Sequence, residues 1–225
     1  EAEFGYVFSR WSDGSTDTTR TITLNSNVNL TAIFLTNIHT VELSGEHGTV
    51  KGEGEYQHGK EVEIEAIPDY GYHFVRWSDG DTVAKRKFKI LDNVKLTAEF
   101  AINVYKVELK SVNGVTKGAG EYNHGSTATI NAVAAVGYHF VKWSDGVTKA
   151  KRSIVVLSDT TLTAEFEINK YTVSVTAKNG KVEGTGEYDY GSIADLVAIP
   201  DEGYHFVGWS DGETEAERSI AVMSS

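Results

Sequence analysis

A ten-residue motif recurs along this chain at a fixed interval of 66 residues, and this interval constrains the fold more than any other feature. The motif reads Gly-Tyr-His-Phe-Val-Arg-Trp-Ser-Asp-Gly at 71–80, with close copies at 137–146 and 203–212 and a looser copy at 5–14. No insertion or deletion falls between the copies. A strict internal period is typical of tandem arrays in which each repeat is one structural unit. The sequence therefore predicts a row of small modules in place of one or two ordinary domains.

The segments between the motifs alternate apolar and polar residues with the period of two that strands require. In the ending Leu96-Thr97-Ala98-Glu99-Phe100, the Leu, Ala and Phe residues fall on one face, and related endings occur at 162–166 and 30–34. One apolar and one polar face per strand favours antiparallel sheets. No window has a convincing period of 3.6, although the charged stretch 83–87 has room for one helical turn. We predict an all-β chain of tandem small antiparallel β modules.

The period also sets the expected module boundaries. Residues 5–34 form the C-terminal half of a repeat, 35–100 and 101–166 are full repeats, and 167–225 is a repeat without its last strand. Residues 1–4 do not fit the pattern, and we interpret them as a cloning remnant. Linkers are nearly absent, which predicts an elongated, stiff rod. The unmatched ends also suggest strand exchange, in which the strand near 30–34 of one molecule completes the last repeat of another.

Composition excludes several classes of function. The net charge of −11 argues against nucleic-acid binding, which needs a basic face for phosphates. The absence of cysteine excludes disulfides, zinc–thiolate sites and cysteine nucleophiles. No apolar run approaches the roughly 18 residues of a membrane span, so we expect no direct membrane insertion.

The aromatic residues are the main candidates for a binding site. Tyr72 and Phe74 share a strand parity that Trp77 lacks, so either a bulge redirects Trp77 or its ring faces another layer, such as solvent. In one interpretation, tryptophan is the largest core residue of a small module. In the other, a row of surface rings stacks on the sugars of an extended polysaccharide. The residues of that candidate carbohydrate site are Trp11, Trp77, Trp143, Trp209, Tyr56, Tyr122 and Tyr188.

Metal binding and catalysis have little support. Calcium needs about six oxygen ligands, yet the position of Asp81 is not acidic in every copy, and the position of His73 is a valine in the first. A glycosidase needs two carboxylates roughly 5 to 9 Å apart across a cleft, and repeats this small rarely enclose one. No nucleophile–histidine–acid set recurs in all copies. We predict no metal, no cofactor and no enzymatic activity.

Three spaced motifs together resemble the divergent InlB B-repeat family: Tyr72 to Trp77 after a glycine, the Gly-Glu-Tyr segment at 54–56, and the ending at 96–100. This family is related to the Listeria–Bacteroides repeat of bacterial surface and secreted proteins. The resemblance implies an extracellular or cell-surface location, neighbouring repeats of a longer chain as partners, and no catalytic residues. It also implies an alternative fold, a β-grasp-like module with one short helix.

The resemblance and the strand pattern lead to two hypotheses for function. The first is a non-catalytic stalk or spacer array of a bacterial surface or secreted protein. The second is a carbohydrate-binding or adhesive module that uses the repeated aromatic rings on a polysaccharide or a host cell-surface glycan.

Overall fold

A computed structural model describes residues 1–224, and within them strands and turns are present but no helix. The predicted all-β fold is confirmed, and the β-grasp-like alternative with a short helix is absent from these residues. The stretch 83–87, which had room for a helical turn, instead leads from a loop into a strand. Contacts divide the chain into two units, Glu1–Asn103 and the part from Val104 onward.

The first unit contains an N-terminal half-module (residues 5–36) and the first complete module (residues 38–102). The half-module has two strands, β1 (Tyr6–Trp11) and β2 (Ala32–Thr36). The first complete module has seven strands: β3 (Ile38–Gly45), β4 (Gly48–Lys51), β5 (Gly54–Gln57), β6 (Glu61–Pro68), β7 (Tyr72–Trp77), β8 (Lys85–Lys89) and β9 (Val94–Ile102).

The second unit contains the second complete module (residues 104–168) and the last module (residues 170–222). The second complete module repeats the pattern with β10 (Val104–Ser111), β11 (Gly114–Lys117), β12 (Gly120–Asn123), β13 (Thr127–Ala134), β14 (Tyr138–Trp143), β15 (Lys151–Val155) and β16 (Thr160–Ile168). The last module has β17 (Lys170–Val173), β18 (Gly180–Glu183), β19 (Gly186–Asp189), β20 (Ile193–Pro200) and β21 (Glu217–Ala221).

Each complete module consists of a four-stranded and a three-stranded sheet. In the first complete module the strand orders are β5-β3-β9-β7 and β4-β6-β8. All of these pairs are antiparallel except β3 and β9, which run parallel with Val41 opposite Val94 and Leu43 opposite Leu96. Parallel neighbours need a long crossover, and the five strands between β3 and β9 provide it. The first and last strands of a module are therefore direct neighbours.

The core lies where the apolar faces of the two sheets meet. The apolar residues that alternate with acidic ones in β6 are buried, with Val62 at 2% and Ile64 at 0% exposure, and they pack with Leu96 and Ala98 of β9. Fully burying one such aliphatic side chain stabilises by about 1.5–3 kcal/mol. The second complete module has an equivalent cluster, which consists of Val107, Ala128, Ile130, Ala132, Trp143, Val156, Leu162 and Ala164.

A β-bulge in strand β7 resolves the parity of the motif tryptophan. Phe74 lies opposite Phe100 and Arg76 lies opposite Glu99, so Val75 is the extra residue. After this bulge Trp77 faces Ala98 and points into the core on the same side as Phe74. A bulge of this kind re-aims the side chains that follow it. Of the two alternatives that the sequence left open for Trp77, the structure shows the bulge, and β14 repeats it in the second complete module.

The last module has no counterpart of β9 among the described residues. In the complete modules that strand pairs with both the second half of the first strand and the motif strand. The two corresponding stretches of the last module, 174–179 and 204–209, are not strands. Their backbone groups lack the ladder partner that makes the equivalent residues extended in the other modules.

Candidate functional site

The motif loop is the most regularly repeated polar feature of the chain. In the first complete module it begins at Trp77, whose indole Nε1 donates a hydrogen bond to the carbonyl oxygen of Val83 at 3.1 Å. The amide of Gly80 donates to the carbonyl of Trp77 at 2.9 Å, and the amide of Asp81 donates to the Asp79 carboxylate at 3.2 Å. Ser78, Asp79 and Gly80 form a tight turn. It anchors the loop to the buried ring.

An arginine completes this loop. The Arg86 guanidinium donates to the carboxylate of Asp79 and, at 2.6 Å, to that of Asp81. Its carbon atom lies 6.0 Å from the centre of the Trp77 ring. Charge-assisted bonds and stacking over a ring suit the planar guanidinium better than an ammonium group. The loop is therefore held by an arginine that is clamped between two carboxylates and an indole.

Every module has the same Asp–Arg pair. The equivalents are Asp13 with Arg20 at 2.6 Å, Asp145 with Arg152, and Asp211 with Arg218 at 2.7 Å. The hydrogen bond from the arginine lowers the pKa of Asp13, Asp79, Asp145 and Asp211 below the ordinary aspartate value. Our sequence analysis missed this pair, although the signal was present as an arginine seven residues after the motif aspartate in all four copies.

The carboxylates of the loop are thus engaged with arginine. Asp81 also receives the amide hydrogen of Val83, which is the largest cause of its lowered pKa, followed by the bond from Arg86. Across residues 1–224, no group of three or more histidine, aspartate or glutamate side chains is placed to hold a metal ion. The bonds from Arg86 and from the indole of Trp77 hold the motif loop over the core.

The tryptophans of the predicted carbohydrate site divide into two pairs. Trp77 and Trp143 are 0% exposed, so their rings have no free face for a sugar in the folded modules. Trp11 and Trp209, in the half-module and the last module, are partly exposed. Each of the latter two indoles also donates to a loop carbonyl, that of Asp17 at 2.8 Å and that of Glu215 at 2.7 Å.

The three tyrosines of that predicted site occupy identical structural positions. Tyr56, Tyr122 and Tyr188 lie on the short strands β5, β12 and β19 and are partly buried. Their hydroxyl groups donate to the carbonyl oxygens of Gly52, Gly118 and Gly184 at 3.1, 2.9 and 2.7 Å. Each tyrosine thereby fixes the connection that leads into its own strand. The structure does not bring the tyrosines together with the buried Trp77 and Trp143 on one open surface.

The module junctions are a second repeated polar feature. A single residue separates β2 from β3 and β16 from β17, namely Asn37 and Asn169. The amide of Asn169 donates to the carbonyl of Gly137 in the preceding module, and its carbonyl accepts the amide of Tyr190 in the following module, both at 2.8 Å. The Asn169 side chain bonds the Nδ1 atom of His139 at 2.9 Å. Asn37 makes the same two backbone bonds with Gly5 and His58.

The junction backbones approach closely at one glycine. A Cβ atom added to Gly137 would lie 2.1 Å from the ring of Tyr190, and one added to Gly5 would lie 2.2 Å from the ring of His58. Both glycines have a positive φ, 83° and 88° respectively. The first glycine of the motif is therefore in direct contact with an aromatic or imidazole ring of the next module. The sequence analysis did not predict this contact.

A cavity lies in the last module. It has a volume of about 590 Å³ and lies between the non-strand stretches 174–179 and 204–209. Leu196 and Ile220 form part of its floor. It occupies the position that the final strand fills in the complete modules.

Comparison with known proteins agrees with this repeated architecture. The family model of the divergent InlB B-repeat domain matches residues 2–38, 39–104, 105–170 and 171–224. Two relatives come from Evansella cellulosilytica. A predicted membrane protein is 29% identical over 192 residues, covering 80% of this chain and 29% of the relative. A predicted glycine-rich membrane protein is 27% identical over 223 residues, covering 91% of this chain and 26% of the relative.

The chain thus spans less than a third of the length of these relatives. Among residues 1–224 there is no helix of the length and apolar character that crossing a membrane requires. The family matches cover nearly the whole sequence and follow the period of the motif. The chain belongs to the divergent InlB B-repeat family, a repeat family of bacterial surface proteins.

Proposed function

We propose that this chain is a non-catalytic stalk or spacer segment of an extracellular bacterial surface protein. The function of such a segment is to hold other parts of a longer protein at a distance. Family membership and the predicted membrane association of the two relatives support the location. The absence of a repeated catalytic set among the described residues leaves the spacing role as the simplest assignment.

The observation that carries the proposal is the junction at Asn169. A linker of one residue has few conformations of its own, and both of its backbone polar groups are bonded, one to each flanking module. The close contact between Gly137 and the ring of Tyr190 further restricts rotation about this point. Asn37 makes the same bonds in the first unit. Junctions of this kind favour a fixed angle between neighbouring modules, which is what a spacer needs.

The absence of cysteine makes a direct test straightforward. Spin labels on introduced cysteines at Val155 and Ile193, both 62% exposed, report the distance between the second complete module and the last module. We expect pulsed electron paramagnetic resonance to give a narrow distribution of the distance between the two labels. Insertion of six Gly-Ser residues after Asn169 should broaden it severalfold, because a flexible linker samples many end-to-end distances. A distribution in the unmodified chain as broad as that in the insertion variant would overturn the stalk proposal.

The carbohydrate-binding alternative depends on different residues. Trp77 and Trp143 are buried, so a sugar surface would have to use partly exposed rings such as Trp11, Trp209 and the three tyrosines. A glycan array separates the two functions. Binding that disappears in Trp209→Ala but persists in Trp143→Phe would support the adhesive role, and absence of binding leaves the spacer role as the assignment.

A further inference from the structure

We propose that His39 and His58 of the first complete module form a two-histidine binding site for a transition-metal cation such as Zn²⁺. The two residues flank the junction at Asn37, and their imidazole rings are joined by a hydrogen bond. The bound cation would take the place of that hydrogen bond. This proposal rests on contacts within the first unit and does not depend on the spacer function.

The two facing nitrogens are already at the distance that separates two ligands of one cation. His39 Nε2 and His58 Nδ1 lie 3.1 Å apart, and the ring planes are inclined by 54°. An imidazole nitrogen binds zinc at about 2.0–2.1 Å. Two such nitrogens are therefore about 2.9 Å apart at a right angle and about 3.4 Å apart at the tetrahedral angle. The observed separation falls between these values, so the backbone holds the rings at the spacing that a shared cation needs.

Backbone hydrogen bonds hold both histidines in place. His39 lies in β3 opposite Tyr56 of β5, and His58 follows Tyr56 by two residues and so keeps to the same face of the sheet. The amide of His58 donates to the carbonyl of Asn37 at 2.8 Å, and the amide of the next residue donates to the carbonyl of the buried Ile90 at 2.7 Å. Ligands that are fixed before the cation arrives favour its binding.

The preceding half-module orients the His58 ring. A Cβ atom added to Gly5 would lie 2.2 Å from Cδ2 of this ring and 2.7 Å from Nε2. Gly5 thus contacts the side of the imidazole opposite Nδ1, and Nδ1 points to His39. Phe4 also packs edge-on against the His58 ring, with the ring centres 4.7 Å apart. Contacts around a ligating ring fix its orientation, and here they come from the neighbouring half-module.

The donor atoms select the class of cation. Imidazole suits Zn²⁺, Cu²⁺ and Ni²⁺, whereas Mg²⁺ and Ca²⁺ need carboxylate and carbonyl oxygens. Binding requires both facing nitrogens to act as acceptors, so the ring that donates the present hydrogen bond must carry its proton on its other nitrogen. Water would complete the coordination. The site should therefore bind zinc more weakly than a site with three or four protein ligands.

The site is confined to one copy of the repeat. In the second complete module and the last module, the positions of His39 and His58 hold Tyr105 with His124 and Tyr171 with Tyr190. The two rings are neighbours there as well, with centres 5.9 and 6.4 Å apart. The absence of recurring ligands argued against a metal site in every module, but it does not bear on a site in one. Tyrosine fits both positions and supplies no imidazole nitrogen.

Calorimetric titration of the 225-residue chain with Zn²⁺ tests the proposal. We expect one Zn²⁺ per chain that excess Mg²⁺ does not displace. His39→Tyr and His58→Tyr should each weaken binding at least about tenfold, since changes one shell beyond the ligands already cost about 10–100-fold. His47→Asn is the matched control and should leave binding unchanged. The second complete module has Asn113 at that position with nearly the same φ, 63° against 66°.

Nuclear magnetic resonance locates the bound cation. The ring protons of His39 and His58 should shift when Zn²⁺ is added, while those of His47 should not. Hydrogen exchange at the His58 amide, which bonds the carbonyl of Asn37, should slow with Zn²⁺ in the unmodified chain and not in the tyrosine variants. Absence of binding, binding that persists in both tyrosine variants, or an equal loss in His47→Asn would each overturn the proposal.

Discussion

The guanidinium carbon of Arg86 lies 6.0 Å from the centre of the Trp77 ring, and the ring itself is completely buried. The same relationship joins Arg152 to Trp143 at 5.9 Å. Arginine covers the outer face of the indole, while Asp79 and Asp81 hold the arginine from the solvent side. The most prominent motif of the sequence is thus a loop closed over its own tryptophan.

The first prediction concerns this arginine. Arg86→Lys should destabilise the first complete module by about 1–2 kcal/mol, because an ammonium group cannot bond both carboxylates and cover the ring in the same way. Arg76→Lys is the matched control. Its ion pair with Glu99 is exposed, so it should change stability by less than about 0.5 kcal/mol. Urea denaturation followed by hydrogen exchange in each module measures both, and equal effects would contradict the prediction.

The second prediction concerns the buried rings. Trp143→Ala should destabilise the second complete module by about 3–5 kcal/mol, since it removes the largest buried side chain of that core. Trp209→Ala should cost the last module less than about 2 kcal/mol, because its ring is already partly exposed. Hydrogen exchange of β13 and β20 reports the two modules separately. A larger loss of protection in the Trp209 variant would show that the last module packs differently.

The third prediction is a pH dependence. The arginine bond lowers the pKa of Asp145 in the folded chain. Its contribution to stability is therefore fully present above the unfolded pKa of about 3.9. It is lost as the pH falls through the lowered folded value. The urea midpoint of the second complete module should stay level from pH 7 to about 5 and decline below about 4. In Asp145→Asn the decline should be shallower, and an unchanged decline would rule out this carboxylate as a source.

The fourth prediction separates glycine conformation from glycine contact. Gly137 and Gly146 have nearly the same φ, 83° and 86°, but only Gly137 has a ring within reach of an added Cβ. Gly146→Ala should cost about 1–2 kcal/mol through backbone strain alone. Gly137→Ala should cost more and should also speed hydrogen exchange at Tyr190, across the junction. Identical exchange at Tyr190 in both variants would contradict a role for Gly137 in joining modules.

Much of the fold was predictable because period and alternation are local properties of the sequence. Val62 and Ile64 alternate with acidic residues, so their burial in β6 followed from the pattern. The parity of Trp77 narrowed its environment to two alternatives, a bulge or a ring that faces another layer, and the structure shows the bulge at Val75. The parallel pairing of Val41 with Val94 could not be predicted from the sequence. It joins residues far apart in the chain, and nothing in either strand alone specifies its neighbour.

The polar contacts were less accessible to sequence reasoning. The sequence shows Asp79 and Arg86 at a spacing of seven residues that is constant in every copy. Isolated charged pairs are common on protein surfaces, so this spacing alone did not predict an ion pair. The contact of Gly137 with Tyr190 was hidden for another reason. The equivalent ring in the first unit is a histidine, His58, so the identity of the residue varies while its position does not.

The parallel pairing of β3 and β9 also has a mechanical consequence. A pulling force on a complete module enters at the start of β3 and leaves at the end of β9, which lie at opposite ends of two hydrogen-bonded strands. Such a load shears the ladder, so its hydrogen bonds must fail together and cannot open one at a time. Under tension a complete module should therefore resist extension up to a high force and then rupture in a single step.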